Sequence, residues 1–351
     1  LIDKGPFTAD EAISNGLIDG VAYPDELKKK LNKKLGKNAR YTETYWDSHT
    51  GWRASNEVAV VFIEGTITTG ESQRPGIFGG GRTTGSKTVR EQIEEAGRVP
   101  SIKAVVLRVD SPGGSALASD EIWRSVKKLK RKGKPVVVSM GGVAASGGYY
   151  VASGADAIYA QHSTVTGSIG VIAGKFSLSG LYDKIGINYE SYIRGRNASM
   201  FSMSRPMDEH EFATFDKMVG DIYAQFTSKV AKGRNLALND VIDVAGGRVW
   251  SGTRAHGVKL VDEIGGFYQA VDRAKKEAGI PAKAKAKLIT FGNRIGPEEA
   301  LERINVKMLQ RNILGTNPRS QTIREIEMLR QIQAMGDERV WALMPYTVEV
   351  R

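Results

Sequence analysis

Ser146 stands in the run Ala144-Ala145-Ser146-Gly147-Gly148-Tyr149-Tyr150, shortly after the apolar stretch Pro135 to Met140. About thirty residues upstream a second glycine corner, Asp110-Ser111-Pro112-Gly113-Gly114-Ser115, follows the apolar stretch Ala104 to Val109. Together these residue types suit acyl transfer. A hydroxyl at the start of a helix can attack a carbonyl, and glycine backbone lets main-chain amides approach the oxygen that becomes negative. Losing one such donor costs a serine peptidase about 3 kcal/mol. Each piece alone has a plainer reading. Ser-Pro-Gly-Gly is a common turn, and a serine before a helix can be its N-cap. The chemical reading rests on both corners following neighbouring strands.

The elements that would position them follow from periodicity. Glu57 to Glu64, Ala104 to Val109 and Pro135 to Met140 are short apolar, β-branched runs that predict buried strands, and Ala157 to Ala160 predicts a fourth. Helical spacing covers Lys87 to Gly97, Ser115 to Lys132 and the residues after Ser146. Strands alternating with helices predict a layered α/β fold with a mainly parallel sheet. Sites in such sheets form where strands end and helices begin. The glycine-rich stretch Gly70 to Gly85 predicts a loop; its context gives no strand-to-helix turn for phosphate.

Composition excludes several chemistries. Among 351 residues there is no cysteine, which removes disulfides, thiolate catalysis and cysteine metal sites. The four histidines, His49, His162, His210 and His256, have no metal-ligand spacing, so no metal and no cofactor is expected. The net charge is +11, and its densest run is Lys127, Lys128, Lys130, Arg131, Lys132 and Lys134. Cations suit a helix C-terminus; a membrane-facing role is the alternative, and no nucleic-acid partner is expected. No run of about eighteen apolar residues occurs.

Residue 1 is leucine, and the chain holds a short internal repeat. Phe7 to Val21 aligns with Trp250 to Ile264 at an offset of 243, pairing Thr8 with Ser251, Ala12 with Ala255, Leu17 with Leu260 and Asp19 with Asp262. The expected layout is the tail of a preceding repeat over 1–22, a lysine-rich linker over 23–55, a main domain over 56–280 and a helical appendage over 281–351. In the appendage, Lys283 to Lys287 forms a hinge. Helices are predicted over Pro297 to Leu309 and Ser320 to Met335, the latter with an Ile323, Ile326, Leu329, Ile332 stripe.

The blocks VVLRVDSPGGSALASDEIW, KPVVVSMGGVAASGGYYVASGADAIYA and STVTGSIGV, in this order and spacing, resemble signal peptide peptidase A (protease IV). The resemblance covers roughly residues 56–280. It implies the layered β-β-α repeat fold shared with Clp protease and crotonase enzymes, and a serine endopeptidase of Ser-Lys dyad type. By position it makes Ser146 the nucleophile, Gly113 or Gly114 with Gly147 the oxyanion donors, and Ser168 the serine that orients the lysine. It further implies released signal peptides and other apolar peptides as substrates, a homo-oligomer, and attachment to the membrane through an upstream anchor, with the catalytic domain on the extracytoplasmic side.

The lysine is where the pattern departs. No lysine lies between Lys184 and Lys217, and the matching segment reads Arg194-Gly195-Arg196-Asn197. Arginine cannot be the base, since it stays protonated. In long family members the serine is in the second repeat and the lysine in the first. The chain fits such a second repeat, its lysine coming from an upstream repeat. Lys175 and His162 are the local substitutes. An ordinary surface role is the alternative for each, and His162 has no evident carboxylate partner. Two other function classes stay open: a crotonase-like acyl-CoA enzyme using the same oxyanion corner, and an inactive peptide-binding fragment.

Overall fold

The computed structural model describes residues 7–23, 26, 29, 56–73, 81–281, 284, 286–291 and 340–343. The chain divides into two compact units, one built from 1–53 and 174–221, the other from 54–173 and 222–351.

The larger unit is built on one sheet. Strands β1 (Glu57–Glu64), β4 (Ile102–Ser111) and β6 (Val136–Ala145) pair in parallel at its centre. A small second sheet holds β2 (Thr66–Thr68), β3 (Thr83–Gly85) and β5 (Gly113–Ser115). Beyond β6 the partners change along the strand. Val137 to Ser139 pair with β7 (Ala157–Ala160), whereas Val143 to Ala145 pair with β8 (Val165–Gly167). The remaining strands are β9 (Ile172–Ala173), β10 (Val249–Ser251), β11 (Glu263–Ile264), β12 (Lys287–Phe291) and β13 (Val340–Leu343). β12 lies parallel to β1, β11 parallel to β7, and β10 closes against β8 in the antiparallel sense.

Both faces of the central strands are covered, which is why their sequences are apolar almost without alternation. On one face Ala59, Val61, Ile63, Val105, Leu107, Val138 and Met140 form the main core. Helices α2 (Ser86–Arg98), α3 (Ala116–Arg131) and α4 (Gly147–Ala152), which follow α1 (Ala9–Ser14) in chain order, feed Val89, Ile93, Ile122, Val126 and Tyr149 into it. On the other face Val58, Val106 and Val137 pack with Ala270, Val271 and Ala274. Those three residues come from α9 (Phe267–Glu277), which closes the series α5 (Ser179–Ile185), α6 (Glu209–Arg234), α7 (Leu238–Val244) and α8 (Gly252–Gly257).

Three of the six cations in the basic run at the end of α3 make local structural contacts. Lys134 Nζ donates to the Ala96 and Val99 carbonyls at 2.7 Å, Lys128 pairs with Glu94, and Lys130 pairs with Asp156. These three cations neutralise carbonyls and carboxylates near the ends of helices.

The internal repeat is mirrored in local structure. α1 and α8 stand at the same offset of 243, each is six residues long, and the paired residues Thr8 and Ser251 are their N-caps. In the smaller unit Glu11 completes a capping box with Thr8 and pairs with Lys217. That unit leaves apolar side chains in solvent, including Phe176, Leu181, Ile185, Ile187, Ile193 and the almost fully exposed Tyr192.

One expectation changes. The second glycine corner is not a bend at Gly141-Gly142, because β6 runs straight through both glycines to Ala145. Gly141 allows this: a Cβ there would lie 2.6 Å from Asp110 Cγ. The turn falls on Ser146 itself. In the C-terminal stretch, the helices predicted over 297–309 and 320–335 lie outside the described residues; what is described there includes the strands β12 and β13.

Candidate active site

The parallel pairing of β4 with β6 brings the two motifs together, with Ser111 opposite Ala144 after an irregularity in register. Asp110 braces the junction: its Oδ1 accepts the Val143 amide at 3.0 Å, and its carbonyl accepts the Gly65 amide. Contact is also close at Gly148, where a Cβ would meet the Ser111 carbonyl oxygen at 2.8 Å. No larger residue fits there without separating the corners.

Ser146 has φ 50 and ψ −115, a left-handed conformation that is costly for a side-chain-bearing residue. It precedes α4 in the N-cap position, yet its side chain accepts no capping hydrogen bond. Its hydroxyl is fully buried and has no hydrogen-bond partner among the described residues. This separates the two readings of the motif. A capping serine earns its place through the bond that Ser146 does not make. Strain plus an unsatisfied buried hydroxyl is the pattern of a residue kept for chemistry.

The serine is held through its backbone. Its amide donates to the Gly167 carbonyl at 2.8 Å. Gly167 has φ 76, and a Cβ there would come within 2.6 Å of the Trp250 ring. The next residue, Ser168, is also buried and left-handed, at φ 47, and its amide donates to the Arg248 carbonyl at 2.7 Å. Thr166 and Thr164 lock β8 to β6 by donating to the carbonyls of Ala144 and Gly141 at 2.7 and 2.8 Å. Ser146 and Ser168 thus sit one backbone hydrogen bond apart on a doubly tied frame.

Gly113 and Gly114 have φ 109 and 155. Gly114 approaches β2 so closely that a Cβ would lie 2.0 Å from the Ile67 carbonyl oxygen. The Gly113 amide donates to Ser111 Oγ at 3.1 Å. Gly147 opens the first turn of α4, where amides have no intrahelical acceptor. Behind the serine, the Tyr149 hydroxyl donates to the Leu260 carbonyl at 2.8 Å, and burial raises the pKa of this phenol far above the ordinary value. Tyr150 donates to Asp120, which also pairs with Lys229. Its ring packs 4.4 Å from that of Phe226.

The two local substitutes for the base differ in their surroundings. His162 is exposed, and its ring pairs with Thr253 Oγ1 at 3.0 Å. Lys175 belongs to the smaller unit. Its Nζ is buried without a hydrogen-bond partner among the described residues, and desolvation, then the Arg205 charge, lowers its pKa. Sequence reasoning missed Asp110, Thr164 and Thr166 as braces. The only signal was an acidic residue ending an apolar strand beside glycines, and a Thr-x-Thr alternation before Gly167.

Residues 128–281 match the profile of Peptidase family S49. Over these residues the chain is similar to that family. It is 36% identical over 305 residues to the chloroplastic serine protease SPPA of Arabidopsis thaliana, covering 82% of this chain and 44% of that protein. It is 37% identical over 286 residues to Protease 4 of Haemophilus influenzae, covering 78% and 45%. Against a putative signal peptide peptidase SppA of Enterococcus faecium the identity is 38% over 186 residues, covering 53% and 54%. The chain therefore spans about half the length of these relatives. A solved structure of a membrane-bound stomatin-specific protease aligns with TM-score 0.42 and 14% identity over 68% of this chain and 98% of that one. Among the described residues, no helix is long and apolar enough to cross a membrane.

Proposed function

We propose that this chain is the serine-bearing half of a Ser-Lys endopeptidase that degrades released signal peptides at the membrane. The observation that carries the proposal is Ser146: strained, buried, without a hydrogen-bond partner, and at the tip of a helix beside the Gly113-Gly114 strand. Ser146 Oγ attacks the peptide carbonyl as its proton passes to a neutral lysine amine. The new oxyanion is received by the amides of Gly147 and of Gly113 or Gly114. The amine then returns the proton to the leaving nitrogen, leaving an acyl-serine ester for water to hydrolyse.

The lysine comes from an upstream repeat, and Ser168 holds it in place. Three features support this division: the lysine-free stretch between Lys184 and Lys217, the relatives of about twice the length, and the remnant α1 that matches α8 in length and capping. The exposed apolar side chains of the smaller unit suit a surface covered by the upstream repeat in an oligomer. An upstream anchor would hold the assembly to the membrane, with this domain on the extracytoplasmic side.

The test is cleavage of a synthetic signal peptide by the longer protein containing this chain. Parent protein should cleave, Ser146→Ala in the folded protein should not, and the chain alone should be inactive. Unchanged turnover in Ser146→Ala would overturn the assignment of the nucleophile. Turnover by the chain alone that disappears in Lys175→Ala would overturn the upstream source of the base.

A further inference from the structure

Ser146 keeps a strained backbone, φ 50 and ψ −115, and such a residue persists only where its surroundings over-determine it. Its amide side is fixed by the Gly167 carbonyl, and its carbonyl side by the Tyr150 amide, which donates to it at 2.8 Å. The Ser146 carbonyl and the Gly147 amide share one peptide plane, and in a trans peptide they point in opposite directions. While the carbonyl is held toward Tyr150, the Gly147 N–H is held the other way, toward the place proposed for the oxyanion. Whatever anchors Tyr150 therefore aims Gly147. α4 has six residues, too few to hold a direction through its own hydrogen bonds. Tyr150 ties it to two longer helices. Its hydroxyl donates to Asp120 Oδ1 on α3 at 3.0 Å, and Lys229 Nζ on α6 reaches the same oxygen. Its ring lies 4.4 Å from that of Phe226, one turn before Lys229. Lys229 Nζ also stands 4.7 Å from the centre of the Trp123 ring, one turn after Asp120, and 5.6 Å from that of Tyr150. Asp120 and Lys229 are both mostly buried, where charged hydrogen bonds are strong and directional.

We propose that Asp120, Tyr150 and Lys229 are positioning residues, a clasp that holds Ser146 in its attacking conformation and aims the Gly147 amide at the oxyanion. The inference deepens the peptidase reading and rests on it. The three side chains act through the peptide plane between residues 146 and 147 and take no part in bond making. Loosening the clasp lets that plane rotate toward an unstrained ψ. Stabilisation of the transition state then weakens, while binding of the ground-state peptide stays as it was.

The experiment uses the longer protein containing this chain, with a synthetic signal peptide as substrate and the matching peptide aldehyde as a transition-state analogue. Ser146 Oγ adds to the aldehyde carbon as its proton passes to the base, and the former carbonyl oxygen carries the charge of the oxyanion. Tyr150→Phe keeps the ring against Phe226 and removes only the hydroxyl. It should lower kcat about tenfold and raise the aldehyde inhibition constant about tenfold, with KM within about twofold of the parent; loss of a whole oxyanion donor costs about a hundredfold or more. Asp120→Asn, which removes the charge at nearly constant size, is the second variant and should move the same two quantities in the same directions. The inhibition constant belongs to the folded enzyme alone, so a variant that is merely unfolded in part loses kcat without moving it. Unchanged kcat and inhibition constant in both variants, or a fall in kcat with the inhibition constant unmoved, overturns the inference. Turnover that survives Ser146→Ala in the parent overturns the peptidase reading itself, so the two failures are told apart.

Discussion

Replacing Ser146 with alanine should raise the stability of the protein. The hydroxyl is buried without a partner, and burying an unsatisfied polar group costs about 1–3 kcal/mol. Alanine removes that oxygen, keeps the Cβ and leaves the left-handed backbone as it was. The small loss of packing around one oxygen, about 0.5 kcal/mol, offsets part of the gain. The net expectation is about 1 kcal/mol of stabilisation, or about 2–4 °C in Tm for a domain of this size. A serine that caps its helix would give the opposite sign, since removing such a cap costs about 1 kcal/mol. The two readings therefore differ by about 2 kcal/mol, well outside the error of paired urea titrations. The assay is equilibrium unfolding of both proteins by urea, monitored by circular dichroism, with a thermal scan alongside. Destabilisation of Ser146→Ala by 1 kcal/mol or so would refute the reasoning, because it would mean the hydroxyl has an acceptor or donor in the fold.

Gly148→Ala should impair the site more than the fold. Its Cβ would press on the Ser111 carbonyl at 2.8 Å, costing about 1–3 kcal/mol in stability; by moving the serine corner from the glycine strand it should cut turnover of the longer protein about a hundredfold, which kcat measurements would check. Glu211, buried in the smaller unit, accepts from Arg205 and from the Asp208 amide, and the Arg205 bond foremost holds its carboxyl below the ordinary 4.5. A depressed acid contributes stability that is complete above the ordinary value and is lost as pH falls through its lowered one. Glu211→Gln should cost about 1–3 kcal/mol at neutral pH and flatten that acid limb in a pH series of unfolding midpoints.

The central strands were legible because burial on both faces leaves near-continuous valine and isoleucine, and apart from the far end of β6 the strand ends fell within about two residues of those expected. The motif around Ser146 was legible as a type and an order of residues. Its decisive property was not: whether a helix-start serine caps or stays free depends on φ, ψ and a missing bond. The extension of β6 through Gly141-Gly142 was hidden because glycine reads as a breaker, while here it makes room for Asp110. Three-residue strands such as β5 carry no periodicity at all. β13 was invisible for a different reason, since Val-Trp-Ala-Leu says nothing about a pairing with glycines more than two hundred residues away.

The forked course of β6 has a mechanical consequence. Its first half pairs with β7, which has the two-residue β11 outside it, while the half leading to the nucleophile pairs with β8, which among the described residues has the three-residue β10 outside it. Fraying that begins at the rim would reach the carbonyl of Gly167, and with it the serine amide, while the centre of the protein stayed intact. Catalytic geometry and global folding are thus secured by different stretches of one strand, and the first can be lost at a temperature where the second still reads as native.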